Sequence, residues 1–77
     1  MTFAEEIKRI RQRSFLSQEA FAKEVNVSFS TVNRWETGKT RPNLMAMKSI
    51  KGYCEKNNVG FEQLEELWLS AEQEARE

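Results

Sequence analysis

Side chains that perform catalysis or bind metals are scarce in this sequence. The 77 residues include no histidine and one cysteine, Cys54, so no set of zinc ligands can be assembled. The sequence has no glycine-rich phosphate loop, and no serine or cysteine has a base at a plausible spacing. Seven glutamates follow residue 51, but they alternate along a predicted helix that faces solvent. We therefore expect a protein that is not an enzyme, with no catalytic residue, metal or cofactor.

Charge is unevenly distributed along the chain. Twelve basic and twelve acidic side chains give a net charge of zero. Residues 1–51 nevertheless carry ten basic side chains against five acidic ones, whereas residues 52–77 carry two against seven. Because charges in solution are screened over about 10 Å, a polyanion responds to the local field more than to the total. The basic region could therefore bind nucleic acid, or it could be an ordinary solvated surface.

The length of the chain allows one small domain. A domain of this size buries only about 60–65% of its unfolded surface, so helix packing has to supply most of the stability. A lone cysteine favours a reducing compartment and a small core residue. The N-terminus lacks the pattern of a signal peptide, and no apolar run approaches the roughly 20 residues of a membrane span. We expect a cytoplasmic protein without membrane contact.

Four positions carry the signals of helix starts. Thr2 and Glu5 have the spacing of a capping box, in which each side chain accepts a hydrogen bond from the backbone amide of the other. Ser17, Ser28 and Asn43 each precede a stretch with helical periodicity and are residue types preferred as N-caps. These signals predict four helices, with Ser17 and Ser28 opening the second and third.

The predicted helix ends are also marked. The first helix should run to about Arg13, Asn26 and Gly38 suit the left-handed conformation after a helix, and Asn57-Asn58 should stop the fourth. A fifth helix is predicted from a heptad-like seam formed by Phe61, Leu64, Trp68, Ala71 and Ala75. The periodicity also predicts these core residues: Ile7, Ile10, Phe21, Val25, Val32, Trp35 and Met47.

The second and third helices are separated only by Asn26-Val27-Ser28. So short a turn prevents antiparallel packing, so the two helices must cross steeply, as in a helix-turn-helix. The stretch resembles the lambdoid phage repressor and Cro family, which includes XRE-like bacterial regulators. The resemblance covers about residues 3–67 and is carried by Leu16-Ser17-Gln18-Glu19-Ala20-Phe21-Ala22, Val25-Asn26-Val27-Ser28, Thr31-Val32-Asn33-Arg34-Trp35-Glu36-Thr37-Gly38-Lys39 and Pro42.

This resemblance implies an all-α, compact five-helix bundle with a repressor-like DNA-binding domain over residues 1–67. Residues 68–77 would form a C-terminal helix extension. The residues implied to contact bases are Phe29, Ser30, Asn33 and Arg34, of which Arg34 suits guanine and Asn33 suits adenine. Phe29 stands where the family usually has a polar residue. It could contact a thymine methyl, fold back onto the protein or meet a protein partner.

The resemblance also implies residues that anchor the DNA backbone and residues that support the fold. Gln18 would donate a hydrogen bond to a phosphate at the start of the second helix. Arg11 and Glu36 match a buried structural ion pair that ties the first helix to the end of the third. The implied phosphate contacts are Ser17, Gln18, Thr31, Lys39, Thr40 and Arg41.

The function expected from this reasoning is sequence-specific binding of double-stranded DNA by a transcriptional repressor. A homodimer would recognise a near-palindromic operator with half-sites about 34 Å apart or a multiple of that distance. Trp68, Ala71 and Ala75 could form the dimer interface, or they could pack back on the same chain. The alternative function is a protein-binding module, such as an antitoxin, whose main partner is a protein.

Overall fold

A computed structural model of the chain describes the backbone of residues 1–75 and the side chains through residue 70. Within these residues the regular structure is entirely helical, which confirms the predicted all-α fold. The five helices are α1 (Phe3–Arg13), α2 (Gln18–Glu24), α3 (Phe29–Glu36), α4 (Leu44–Lys56) and α5 (Glu62–Ala75). Helix α5 continues without a break past residue 67. The proposed domain boundary at that residue therefore stays a prediction.

The predicted N-caps are present at the first four helices. The Thr2 side chain accepts a hydrogen bond from the Glu5 amide, and the Glu5 carboxylate accepts one from the Thr2 amide. This bond from the Thr2 amide lowers the pKa of Glu5, because it stabilises the charged form. Ser17, Ser28 and Asn43 each accept a hydrogen bond from the amide three residues later. Local chemistry therefore sets where these helices begin.

The same four helices end in one kind of motif. At the end of α2, the Asn26 amide donates to the Lys23 carbonyl and the Val27 amide donates to the Ala22 carbonyl. This is the Schellman pattern, and it requires a left-handed residue just after the helix. The residues in that position have positive φ angles: Phe15 at 58°, Asn26 at 62°, Gly38 at 79° and Asn58 at 61°. Phe15 is the unexpected member, because an aromatic side chain rarely adopts this conformation.

The apolar faces of the helices meet in one core that contains all seven residues predicted for it. Phe21 and Tyr53 lie edge to face at the centre, with their ring centroids 5.6 Å apart. Glu6 is also fully buried, and its carboxylate accepts two hydrogen bonds of 2.9 Å from the Arg9 guanidinium. The sequence pattern does not reveal this burial. No described helix combines the length and the apolar character needed to cross a bilayer.

Cys54 should be unreactive in the folded protein. Its side chain is fully buried, and this burial raises the pKa of the thiol to about 11. We expect iodoacetamide at pH 8 to label Cys54 only as fast as the protein unfolds, and to label it rapidly in urea. Because the folded pKa exceeds the unfolded value of about 8.5, the associated stability is present below pH 8.5 and lost as the pH rises through 11. Rapid labelling without urea would show that the thiol is accessible.

Candidate nucleic-acid interface

Helices α2 and α3 are separate and packed against each other, and α1 also packs on α3. Val32 and Trp35 turn the inner face of α3 into the core. The outer face is left to solvent, and the four residues implied as base contacts are all exposed there: Phe29, Ser30, Asn33 and Arg34. Phe29 is 52% exposed at the start of α3, so its ring does not fold into the core.

The Arg11–Glu36 pair holds the end of α3 to α1. Nε and Nη2 of Arg11 donate to the two carboxylate oxygens of Glu36 at 2.6 and 3.0 Å, and Nη1 donates to the Leu16 carbonyl at 2.8 Å. The side chains are only 13% and 3% exposed. The hydrogen bonds to Glu36 raise the pKa of Arg11. This bidentate, largely desolvated pair therefore fixes the end of α3 relative to the first helix.

Two further hydrogen bonds extend this network to the outer face of α3. Nε2 of Gln18 donates to the Glu36 carboxylate at 3.0 Å, and Nδ2 of Asn33 donates to Oε1 of Gln18 at 3.2 Å. Because a carboxylate only accepts hydrogen bonds, the Gln18 amide has one favourable orientation, and so does the Asn33 amide. Gln18, expected from the sequence only as a phosphate contact, therefore also positions Asn33, which the sequence does not predict.

The residues implied as phosphate contacts are not equally available. Lys39 and Ser17 are exposed, whereas Gln18, Thr31 and Thr40 are half-buried. The Thr31 hydroxyl shares a 2.8 Å hydrogen bond with the Ser28 hydroxyl. A shallow cavity of about 330 Å³ lies beside α3, and its lining includes Thr31, Arg34 and Thr40. Polar groups therefore border the exposed face of α3 on the side of the loop that follows it.

Arg41 differs most from the sequence expectation. Its guanidinium carbon lies 5.8 Å from the centroid of the Phe3 ring and 5.6 Å from that of the Trp68 ring. Nη2 donates a hydrogen bond to the Trp68 carbonyl. The side chain is half-buried and contacts its own chain, and it also forms part of the lining of the cavity beside α3. The phosphate contact predicted for Arg41 therefore stays a prediction, and the structure adds contacts of the guanidinium with α1 and α5.

Trp68 packs back on its own chain, which is one of the two arrangements considered for it, the other being a dimer interface. The ring packs against the core, and Nε1 donates to the Pro42 carbonyl at 2.8 Å. The side chains of Ala71 and Ala75, the other two residues of the predicted dimer seam, lie outside the described residues. Among the residues that the structure describes, no cluster of histidine, cysteine or carboxylate side chains could hold a metal.

Comparisons with known proteins agree with this geometry. Residues 7–52 match the model of a family described as helix-turn-helix. The chain is also 34% identical, over 79 aligned residues, to the HTH-type transcriptional activator BcrR of Enterococcus faecalis. That alignment covers 99% of this chain and 37% of the relative, so the chain spans a little over a third of the length of this relative. No solved structure matches the chain.

Proposed function

We propose, from the premise that this chain belongs to the helix-turn-helix family, that it binds specific sequences of double-stranded DNA and regulates transcription. The family assignment confirms the resemblance noted in the sequence. The observation that carries the proposal is the exposed pair Asn33 and Arg34 on α3, with Asn33 braced from α2 by Gln18. In the docking geometry of the family, α3 enters the major groove and α2 crosses the DNA backbone.

The hydrogen-bond inventory of the exposed face favours particular bases. The bond to Gln18 uses one of the two N–H groups of Asn33, leaving one donor and the carbonyl acceptor for DNA. Adenine presents one acceptor and one donor in the major groove, so it fits, whereas guanine presents two acceptors. Arg34 has the paired donors that guanine needs. We therefore assign adenine to Asn33 and guanine to Arg34.

Anchoring to the DNA backbone is assigned to residues beside this face. Lys39 is exposed immediately after α3 and supplies the charge. Thr40, Thr31, Ser17 and Gln18 can add neutral hydrogen bonds to phosphates, with Gln18 using the N–H that Glu36 leaves free. Contacts of this kind set the register of the protein on DNA and do not read sequence.

The sign of regulation depends on where the protein sits relative to a promoter. The resemblance to phage repressors favours repression, whereas the relative from Enterococcus faecalis is named a transcriptional activator. That relationship supports regulation of transcription in general. A repressor would block the promoter, whereas an activator would bind beside it. A reporter assay distinguishes the two. Transcription is compared between a reporter with the preferred binding site of the protein upstream of the promoter and one with that site across the promoter.

A two-fold dimer on a near-palindromic operator remains part of the proposal. Since Trp68 is engaged within its own chain, other residues would have to form most of the interface. Leu69, which is 47% exposed on α5, and Leu44, which is 61% exposed at the start of α4, are apolar and available for this purpose. The palindrome is the direct test of the symmetry, because the two halves of an operator mirror the two copies of the protein.

The proposal is tested by selecting bound DNA from a random duplex pool at two salt concentrations. We expect enrichment of a near-palindrome whose half-sites lie about 34 Å apart or a multiple of that distance. The variant in which both Asn33 and Arg34 are replaced by alanine is the matched control, and it should enrich no sequence. If the parent protein also leaves the pool unenriched, specific DNA binding is rejected. A protein partner, as for an antitoxin, then becomes the favoured function.

A further inference from the structure

The loop after α3 is held at both ends. It begins at Gly38, and the amides of Lys39 and Thr40 both donate to the Arg34 carbonyl, at 2.9 and 3.3 Å. These bonds attach the first half of the loop to the end of α3. The second half is attached elsewhere, through Arg41 and Pro42. Lys39 and Thr40, which we assign to the DNA backbone, therefore form the first attachment and directly precede the second.

Trp68 on α5 provides most of the second attachment. Its backbone carbonyl accepts a hydrogen bond from Arg41, its ring faces the Arg41 guanidinium, and its Nε1 donates to the Pro42 carbonyl. Phe3, at the start of α1, faces the same guanidinium. Two rings from opposite ends of the chain therefore enclose one cation of the loop. Such contacts between a cation and aromatic faces are strengthened when they are partly withdrawn from water, as here.

We infer that Trp68 and Phe3 are positioning residues for DNA binding: they hold Arg41 in place and thereby fix Lys39 and Thr40 beside α3. This inference rests on the proposed function. Arg41 contributes as the residue that is held, through its hydrogen bond to the Trp68 carbonyl and its contacts with the two rings. Docking of α5 against the loop thus becomes a condition for full DNA affinity.

This arrangement goes beyond what membership of the family implies. The match to the helix-turn-helix family covers residues 7–52, and both aromatic rings lie outside it, at residues 3 and 68. Neither ring lies on the outer face of α3, where the predicted base contacts are. It follows that a change in α5 should alter the anchoring of the DNA backbone and leave the preferred base sequence as it was.

The test uses the full chain with Trp68→Leu and measures the dissociation constant for the selected DNA across a salt series. Without the tryptophan ring and its N–H group, the second half of the loop is released and Lys39 and Thr40 keep only their bonds to the Arg34 carbonyl, so Lys39 should be held less firmly against the DNA backbone. We expect affinity to fall about tenfold at low salt and the slope of log K against log salt to become shallower by about one. The selected sequence should be unchanged. Ser70→Ala, two residues after Trp68 and at an exposed position of α5, is the control and should behave like the parent.

These readouts distinguish positioning from a loss of folded protein. If Trp68→Leu only lowered the folded fraction, measured by circular dichroism, affinity would fall by the same factor at every salt concentration and the slope would stay at the parental value. That result would overturn the inference. If Trp68→Leu does not fold, Trp68→Phe keeps a ring and removes only the N–H group that bonds Pro42. It should show a smaller loss of affinity with the same flattening, and parental affinity with parental slope would again overturn the inference.

A second variant tests whether Arg41 acts through its contacts with the two rings or binds a DNA phosphate directly. Arg41→Lys keeps the charge but loses the planar group that faces both rings. We expect it to resemble Trp68→Leu, and the double variant to be no weaker than either single one, because both changes release the same loop. Losses that add in the double variant would show that Arg41 contacts DNA independently of Trp68. Failure of the parent protein to bind any DNA would instead reject the proposed function, and this inference with it.

Discussion

Glu36→Leu is expected to lower the free energy of unfolding by about 3–5 kcal/mol. The substitution leaves the Arg11 guanidinium, with its side chain only 13% exposed, without the carboxylate that now accepts two of its hydrogen bonds. Nε2 of Gln18 loses the same acceptor. Because small domains are stable by only about 5–15 kcal/mol in total, the variant should be close to unfolding at 37 °C. Urea denaturation followed by circular dichroism measures the loss.

The controls for this prediction separate an unpaired buried charge from lost packing. Arg11→Met combined with Glu36→Leu removes both charges and should recover most of the stability, since an apolar pair can replace a buried ion pair at little cost. Glu24→Leu, at an exposed site on α2, should change stability by less than about 0.5 kcal/mol. A loss below about 1 kcal/mol for Glu36→Leu would mean that the Arg11–Glu36 pair is effectively a surface pair.

The parts of the fold that follow from nearby residues could be predicted from the sequence. Thr2, Ser17, Ser28 and Asn43 cap their helices because each side chain reaches an amide only three residues away. The helical periodicity likewise identified the core-facing residues. The end of α1 was the local exception. The Schellman motif needs a left-handed residue at that position, and the residue there is Phe15. Its side chain is 95% exposed, so core packing does not account for the choice of an aromatic residue.

The features that the sequence did not reveal depend on contacts between distant parts of the chain. Trp68 bonds to loop residues 26 and 27 positions earlier, and no local pattern distinguishes a ring that packs there from one that binds a second chain. Glu6 is fully buried although its partner Arg9, one helical turn away, remains 40% exposed, so other elements packed on α1 must cover Glu6, whereas its position in the sequence suggests only an acidic first turn. Long-range packing decides both cases.

The candidate site divides in the same way. Asn33 and Arg34 could be assigned to the outer face of α3 because Val32 and Trp35 occupy the inner face of the same helix. The role of Gln18 in positioning Asn33 could not be derived, since it requires Glu36 to present an oxygen atom beside α2. Arg41 was assigned to phosphate for its charge and its place after α3. The two rings that enclose it come from residues 3 and 68, which the local motif does not include.

The largest effect on function is expected from Arg34→Ala. Loss of the paired donors should remove about 1–3 kcal/mol of discrimination at one position of each half-site, which corresponds to about 5- to 150-fold in relative affinity for the preferred base. Other positions of the operator should keep their preferences. The measurement is the dissociation constant for the selected operator and for operators carrying each of the three other bases at that position.

Lys39→Ala is the matched comparison, since it also removes one exposed cation, from a site only five residues away. It should weaken every operator by the same factor and reduce the slope of log K against log salt by about one, because a phosphate contact carries no sequence information. Arg34→Ala should instead flatten the preference at a single position. If the two variants lose equal affinity on every sequence, Arg34 is a backbone contact as well. The reading function would then have to be assigned to Asn33, Ser30 and Phe29.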